Sequence, residues 1–269
     1  MATFTLKPER PDAVNLMIGI PTYGDVLYDR LAILLLQLGL HLQKTGAGFK
    51  LVCIGRTRVE KSRNMIASLF HSDSSFTHLL FIDSDMYFDA ELVLQMLKFD
   101  KDFIGVASPS RKVVWDKVHR AAQRAEDPAE LSRLGHHFIH QLNHPNAPAK
   151  QQEITIDQGF VQAHAVGGGV LLLKRPVFAR MTEAYPDLKE PVDSEERKRG
   201  LTEYWGFFNT LRPGGSDTKI MAEDYAFCFR WREGCGGEVW CNVSQPITHY
   251  GANPMTGRLQ DQLEKGWLG

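Results

Sequence analysis

Short apolar runs alternate with amphipathic stretches along the first hundred residues. The runs VNLMIGI (14 to 20), FKLVCIG (49 to 55), HLLFI (78 to 82) and FIGVAS (103 to 108) predict buried strands, because they are too short for buried helices. Helical segments are predicted between them, from about Leu27 to Lys44, around VEKSRNMIASLF and in DAELVLQML, for which Asp89 is a candidate cap. The alternation predicts an α/β sandwich of the Rossmann type, with a mostly parallel central sheet flanked by helices.

The alternation weakens in the second part of the chain. Residues 109–152 are charged and rich in histidine, and we predict a surface insertion with some helix and solvent-facing histidines. Residues 153–175 predict two strands interrupted by three glycines, and Pro176 opens the next helix. Residues 186–215 predict a loop, in which the run DSEERKRG forms either a solvated surface or a lid over substrate. A helix in MAEDYAFCFRWREG and late strands in EVWCNV and ITHYG complete the pattern.

Composition excludes several classes of protein. The 269 residues are 43% hydrophobic and 23% charged, with a formal net charge of −1, which gives no electrostatic footprint for nucleic acid. The four cysteines lack the spacing of a disulfide framework or a structural zinc site. The longest apolar helix, LAILLLQLGLHL, spans 12 residues, short of the ~20 that cross a bilayer. We expect one domain, residues 1–269, in a cytoplasmic protein, with peripheral attachment to a membrane left open.

Two aspartates end the third predicted strand. Asp83 and Asp85 stand at positions i and i+2, so their side chains project to the same side if the extended backbone continues past Ile82. Two neighbouring carboxylates repel each other unless a cation lies between them, and Mg²⁺ or Mn²⁺ meets that need while bridging to phosphates. The alternative is that one aspartate caps a turn and the other is solvated.

Several motifs in fixed order resemble those of one enzyme family. They are IGIPTYGD after the first strand, EKSRNMIA on the second helix, LLFIDSDM with its D-x-D motif, VGGGVLLLKRPVF at mid-chain, and the late EDYAFCFRW and THYG. Together they resemble nucleotide-sugar glycosyltransferases of the GT-A fold, of the family 2 kind, over residues 14 to 251 apart from the insertion. The resemblance implies a nucleotide-sugar-binding half (14–108), the insertion (109–152) and an acceptor-binding half (153–269).

The resemblance also implies how the D-x-D segment and its neighbours bind a donor. Asp83 is expected near the ribose and the metal, Asp85 on the metal that grips the diphosphate, and Ser84 in the same donor site. The metal, Mn²⁺ or Mg²⁺, would neutralise the charge on the departing nucleotide.

Further donor contacts are expected from a loop, an arginine and a glycine. Pro21, Thr22 and Tyr23 would wrap the base and ribose, where Tyr23 either stacks on the base or simply packs. Arg63 belongs to a run of four cations in eight residues and suits the diphosphate or the base edge, since guanidinium binds such groups in a bidentate way. Gly168 either allows close approach to the sugar or forms a bulge.

Three late residues complete the expected site. In inverting relatives a carboxylate of the late motif deprotonates the acceptor hydroxyl, and Asp224 is the preferred candidate with Glu223 second. The alternative is that both acids only complement the start of a helix. His249 corresponds to a position that supplies a third metal ligand, which would favour Mn²⁺, although a single histidine is also a common surface or core residue.

The predicted function is transfer of a sugar from a UDP- or GDP-linked donor to a hydroxyl acceptor, with inversion. The acceptor is a glycan, a lipid-linked glycan, a protein or a small molecule. The alternatives are a metal-dependent nucleotidyltransferase, a nucleotide-sugar hydrolase, and a non-catalytic sugar-binding protein of the same fold. Trp205, Phe207 and Phe208 form either core, which we prefer, or a platform for an acceptor sugar.

Overall fold

A mixed eight-stranded β-sheet forms the centre of the structure. The computed structural model describes residues 1–10, 13–22, 24–124, 127, 131, 134–142, 154–214, 218–251 and 255–266. Its strands are β1 (Ala2–Leu6), β2 (Asn15–Pro21), β3 (Gly48–Ile54), β4 (His78–Ile82), β5 (Met86–Phe88), β6 (Phe103–Val106), β7 (Ser108–Pro109), β8 (Phe138–Gln141), β9 (Phe160–Ala163), β10 (Ala165–Val166), β11 (Val170–Lys174), β12 (Lys189–Glu190), β13 (Tyr204–Trp205), β14 (Val239–Asn242), β15 (Ile247–His249) and β16 (Met255–Gly257).

Helices connect most of these strands. They are α1 (Asp29–Lys44), α2 (Val59–Ser72), α3 (Glu91–Phe99), α4 (Trp115–Ala122), α5 (Arg175–Ala184), α6 (Ser194–Lys198), α7 (Glu223–Phe229) and α8 (Leu259–Glu264), with a 3-10 turn at Pro186–Leu188 and a π-helical turn at Arg230–Gly234. Asp89 accepts a hydrogen bond from the backbone N–H of Glu91 at 2.9 Å, so it satisfies one free donor at the start of α3.

The central sheet has the order β1-β3-β2-β4-β11-β6-β14-β9. Strands β3, β2 and β4 are parallel, β11 is antiparallel to both β4 and β6, and β14 is parallel to β6. Five of the eight strands therefore run in one direction, while β1, β9 and β11 run in the other. The predicted fold class, a GT-A-like α/β sandwich with a mostly parallel sheet flanked by helices, is confirmed.

The sheet is covered on both faces, which explains its nearly continuous apolar strands. Along β4, Leu79 and Phe81 pack into the core beneath α2, α5 and α7, whereas Leu80 and Ile82 pack into the core beneath α1 and α3. This alternation follows from the two-residue period of a strand. The two layers fix the carboxyl ends of β2 and β4 at one edge, where the predicted site residues begin.

Part of the predicted insertion belongs to the folded body. Strand β8 lies between β10 and β7 in a three-stranded sheet, and its Phe138 is only 2% exposed. His136 is buried and His140 is half-buried with an inaccessible Nδ1, so the prediction that these two histidines face solvent was wrong. His137 is exposed as predicted, and His144 lies outside the described residues.

Other differences arise from pairing that the local pattern does not reveal. The polar N-terminus forms edge strand β1, antiparallel to β3. The mid-chain segment predicted as two strands contains three, β9, β10 and β11, and the three glycines lie between β10 and β11. Residues 186–215 contain helix α6, which a capping box between Asp193 and Glu196 begins. Trp205, Phe207 and Phe208 are buried in the core, as we preferred. Within the described ranges, no helix combines the length and the apolar character that a membrane crossing requires.

Candidate active site

Strand pairing brings the D-x-D segment next to the late histidine. Asp83 and Asp85 lie in the short link between β4 and β5, and β5 pairs antiparallel with β15 so that Met86 stands opposite His249. The backbone N–H of Tyr250 also donates to the carbonyl of Asp85 at 2.8 Å. The backbone of these two segments is therefore fixed independently of any side-chain contact.

A cavity of about 670 Å³ opens at this edge of the sheet. All predicted site residues within the described ranges line it: Pro21, Thr22, Arg63, Asp83, Ser84, Asp85, Gly168, Glu223, Asp224 and His249. Tyr23 lies outside the described residues. The site predicted from widely separated motifs therefore forms one continuous surface.

The Arg63 guanidinium is the centre of the charged network. Its side chain is only 2% exposed. The Nη2 atom lies 2.7 Å from Asp83 Oδ1 and 3.2 Å from the carbonyl oxygen of Gly168. The other terminal nitrogen, Nη1, donates a hydrogen bond to Glu223. Burial alone would lower the pKa of Arg63, but the carboxylates of Asp83, Glu223 and Asp224 outweigh burial and raise it. The arginine is permanently charged and held at both of its terminal nitrogens.

The pKa values of the two carboxylates paired with Arg63 shift in the opposite direction to that of Asp85. Burial raises the pKa of Asp83 and that of Glu223, although Arg63 acts against it in both cases. For Asp85 burial would also raise the pKa, but the hydrogen bond and charge of His249 and the cation of Arg111 outweigh burial and lower it. The two acids of the D-x-D motif therefore have different environments and suit different roles.

Gly168 allows the guanidinium its position. A Cβ atom on Gly168 would lie 2.7 Å from Cζ of Arg63, closer than real side chains approach each other. The backbone N–H of Gly168 donates to Asp224 Oδ2 at 3.0 Å, and Asp224 Oδ1 accepts from the N–H of Tyr225 at 2.8 Å. Close packing on Arg63 explains why position 168 is a glycine, and its backbone N–H orients Asp224.

His249 is oriented by its backbone partner. Its Nδ1 lies 2.9 Å from the carbonyl oxygen of Pro109, which only accepts, so Nδ1 carries a proton. The other nitrogen, Nε2, lies 3.4 Å from Asp85 Oδ2. Nε2 and the Asp85 oxygen therefore face the same small space, as two ligands of one cation would. A histidine that donates through Nδ1 to a carbonyl is the usual arrangement of a metal ligand.

The residues fit a divalent cation held jointly by protein and ligand. The side chains of Asp85 and His249 converge, whereas Oδ1 of Asp83 points at Arg63. In the described part of the chain, no group of three or more His, Cys, Asp or Glu side chains is arranged to hold a metal. Mg²⁺ and similar ions are commonly bound by one or two carboxylates plus substrate phosphates. Direct ligation by Asp83 stays a prediction.

Arg111 is a site residue that the sequence analysis missed. Its Nη1 lies 3.1 Å from Asp85 Oδ2, but its side chain is 58% exposed. Exposed ion pairs contribute only about 0–1 kcal/mol, so Arg111 does not close Asp85 to a cation. Arg111 lies just after strands β6 and β7, and the rule that ligands bind beyond the carboxyl ends of strands would have found it.

A pair of tyrosines also went unnoticed. Tyr28 lines the cavity and stacks on Tyr250, with 5.2 Å between ring centroids. The backbone N–H of Tyr28 lies 3.4 Å from the carbonyl oxygen of Ser84. The Tyr28 ring therefore extends the cavity wall beside the D-x-D segment, with Tyr250 stacked on it. The two tyrosines are 222 residues apart in the sequence, and no local pattern pairs them.

Comparison with known proteins gives only remote structural likenesses. No family model matches the chain, and no curated protein matches its sequence. A197 from STIV is 14% identical, with a TM-score of 0.45 over 88% of this chain and 86% of that one. GalNAc-T7, solved with UDP, GalNAc and Mn²⁺, is 10% identical, with a TM-score of 0.38 over 95% of this chain but 44% of that one.

A third likeness is to a protein from Bacillus anthracis assigned as a glucose-1-phosphate thymidylyltransferase, solved with a sucrose. It is 11% identical, with a TM-score of 0.30 over 72% of this chain and 88% of that one. The chain thus has weak structural similarity to a glycosyltransferase and to a nucleotidyltransferase. Likenesses at this level do not assign an activity, which has to be argued from the site.

Replacement of Arg63 tests the charge network. We expect Arg63→Met to lower the free energy of unfolding by about 3–5 kcal/mol at pH 8, because it leaves Asp83 and Glu223 buried without a cation. Both carboxyls already have a raised pKa in the folded state, so the stability they contribute is lost as pH rises. The loss caused by the variant should therefore be smaller at pH 5 than at pH 8, as measured by urea unfolding.

The matched control is Arg58→Met. Arg58 stands five residues before Arg63, at the start of α2. It pairs with Glu60 and has an 84% exposed side chain, so its removal should change stability by less than about 1 kcal/mol. Equal effects of the two variants, or a loss for Arg63→Met that does not vary with pH, would contradict the network described above.

Proposed function

We propose that this chain is a metal-dependent glycosyltransferase that transfers a sugar from a UDP- or GDP-linked donor to a hydroxyl acceptor with inversion. One observation carries the proposal. One cavity of about 670 Å³ is lined by groups from distant segments of the chain: the D-x-D carboxylates, the late histidine, the Glu223–Asp224 pair and a buried arginine. That volume is within the range of ligand sites, about 300–1,000 Å³.

The donor would bind across the carboxyl ends of β2 and β4. Asp85 and His249 would hold Mn²⁺ or Mg²⁺ together with the donor diphosphate. When bound, the cation supplies neutralisation of the charge that develops on the leaving nucleotide. Asp83, oriented by Arg63, would contact the ribose side of the donor, and a direct contact of Asp83 with the cation stays part of the proposal.

The remaining donor contacts come from the first strand and from the link after β4. Pro21 ends β2 on the cavity wall, and Thr22, the next residue, is held by a 3.0 Å hydrogen bond from its N–H to the carbonyl of Ile54. Together with Ser84 and Tyr23 they would hold the base and ribose. Gly168 would leave room for the sugar beside the guanidinium on which it packs.

Asp224 is the better candidate for the base. Each of its oxygens accepts one backbone N–H, which orients the carboxylate and leaves other lone pairs for an acceptor hydroxyl. Glu223 is ion-paired with Arg63, and a proton on Glu223 would break that pair. Although burial raises the pKa of Glu223, its better role is positioning of the guanidinium.

Asp85→Ala tests the cation site. In wild-type protein we expect nucleotide release from a UDP- or GDP-sugar with Mn²⁺ and its loss with EDTA. In the variant we expect release to fall at least about 100-fold, the usual scale for removal of a group that stabilises transition-state charge. Asp116→Ala, at an exposed position of α4 outside the cavity, is the matched control and should behave as wild type.

The same assay separates the alternative functions. If the nucleotide sugar is hydrolysed and no added acceptor changes the rate of nucleotide release, the protein is a hydrolase. Release of pyrophosphate from a nucleoside triphosphate would indicate a nucleotidyltransferase. Donor binding without turnover would indicate a sugar-binding protein. Unchanged turnover in Asp85→Ala would remove the assigned cation site.

Asp224→Asn and Glu223→Gln distinguish the two acids. If Asp224 is the base, Asp224→Asn should lower kcat by about 10²–10⁴ with little change in donor affinity, because the amide cannot accept a proton. Glu223→Gln should lower kcat less and reduce thermal stability, since Arg63 loses a charged partner. The anomeric configuration of the product, read by NMR, tests inversion. A larger kcat loss for Glu223→Gln than for Asp224→Asn would reverse the assignment.

A further inference from the structure

A second cavity, of about 590 Å³, lies on the other side of the first turns of α2. It shares no lining residue with the first cavity, because Ser62 and Arg63 face the first while Lys61 and Asn64 face the second. The opposite wall comes from the segment between β12 and residue 210. Its lining residues are Arg58, Glu60, Lys61, Asn64, Glu190, Pro191, Asp193, Glu196, Tyr204, Asn209 and Thr210.

One wall of this cavity is fixed by charge. Lys61 Nζ lies 3.0 Å from Asp193 Oδ2 and 3.1 Å from Glu196 Oε1, which ties helix α2 to α6. The capping box fixes the same two acids to each other's backbone, and Glu196 is buried. The wall is therefore formed by a held helix and not by a freely solvated loop.

The floor is a chain of side-chain hydrogen bonds. Asn64 Nδ2 donates to Asn209 Oδ1 at 2.8 Å and to the Tyr204 hydroxyl oxygen at 3.2 Å, and Asn209 Nδ2 donates to Glu190 Oε1 at 2.7 Å. The N–H of Phe208 fixes Asn64 through its Oδ1. Among the described residues no acceptor takes the Tyr204 hydroxyl proton, so a donor remains available at the buried end of a preorganised network.

The chemistry of the lining restricts the ligand. Four carboxylates against two cations disfavour a phosphate or other polyanion, and every lining residue except Pro191 has a polar side chain, which disfavours a lipid. No group of three metal-ligating side chains occurs there within the described ranges. Paired amides, a phenol hydroxyl, a threonine hydroxyl and carboxylates match a ligand that carries many hydroxyl groups and no negative charge.

A short segment of the chain connects the wall of the second cavity to the Glu223 side of the first. Just beyond Asn209 and Thr210, Leu211 pairs with Met221 through two backbone hydrogen bonds of 2.7 and 3.4 Å. Met221 stands two residues before Glu223, which lines the first cavity. A ligand that follows this segment would therefore lead from the second cavity towards the carboxylates of the first.

We propose that the second cavity binds the distal units of an oligosaccharide acceptor, neutral or amino-substituted, whose terminal hydroxyl enters the first cavity. This inference rests on the proposed glycosyltransferase function and names the class of acceptor. Lipids, phosphorylated compounds and acidic glycans are not expected to occupy this cavity.

Binding of glycans to the full chain, without metal or nucleotide, tests the proposal. The probes are an array of neutral, amino and uronic-acid oligosaccharides of two to six units, followed by titration of the best trisaccharide by NMR. We expect neutral or amino oligosaccharides to bind and uronic-acid oligosaccharides not to bind. No binding by any neutral or amino probe, preferential binding of acidic ones, or saturable binding of a lysine-rich peptide at this cavity instead would overturn the proposal.

Two variants locate the binding. Tyr204→Phe removes one hydroxyl from the cavity, and Asn209→Ala removes the central amide; each should weaken trisaccharide binding about tenfold, the scale of one unmade hydrogen bond. Tyr87→Phe, at a tyrosine that lines neither of the two cavities, is the matched control and should bind as wild type. Thermal unfolding of each variant separates lost binding from lost fold. Unchanged binding in both cavity variants would overturn the assignment.

The outcomes also separate this inference from the proposed function. With an active donor, the KM for an oligosaccharide acceptor should rise in Tyr204→Phe while kcat is retained. Oligosaccharide binding that persists in Asp85→Ala, with no transfer from any donor in wild type, would contradict the proposed function alone. Transfer to a monosaccharide with no oligosaccharide binding would contradict the second cavity alone.

Discussion

The guanidinium of Arg63 is buried where three segments remote in sequence meet. From helix α2 it binds Asp83 after β4, Glu223 at the start of α7 and the carbonyl of Gly168, over sequence separations of up to 160 residues. A buried cation needs its anions, and the nearby Asp224 is fixed in turn by two backbone N–H groups. The cavity beside Arg63 is therefore shaped and charged before any ligand arrives, and a glycine at 168 is required because a side chain there would occupy the space of the guanidinium.

The two acids of the D-x-D motif divide two tasks between them. Asp83 balances the charge of the buried Arg63. Asp85 faces two groups, the exposed Arg111 and His249, and the carbonyl of Pro109 orients His249. The opposite directions of their pKa shifts express that division. Asp83 is paired with a buried arginine and Asp85 is not, so the site is suited to a cation whose other ligands are phosphates of the substrate. It is less suited to a permanently bound structural metal.

Sequence alone identified the parts of this molecule in which local pattern and burial agree. Strand β4 and the acids after it were readable because a strand covered on both faces is apolar throughout and stops where polar ligands begin. Strand β8 was not readable from the sequence, because it pairs with β10 and β7 across long separations and its histidines give the segment the composition of a polar surface. The Asn64–Asn209 network was missed for the same reason, since polar side chains show their partners only in three dimensions. Arg111 was missed although its place just after strands β6 and β7 was a usable signal.

The pairing of β5 with β15 has a consequence for the order of assembly. The backbone that holds Asp85 is completed by a strand more than 150 residues later, whereas β2, β3 and β4 already adjoin one another from the first third of the chain. During synthesis on a ribosome, the early half therefore emerges with its acidic link unpaired and without the histidine. The edge of the cavity that Asp85 and His249 share is therefore completed only when the late strand docks, and a chain that ended before β15 would lack that edge.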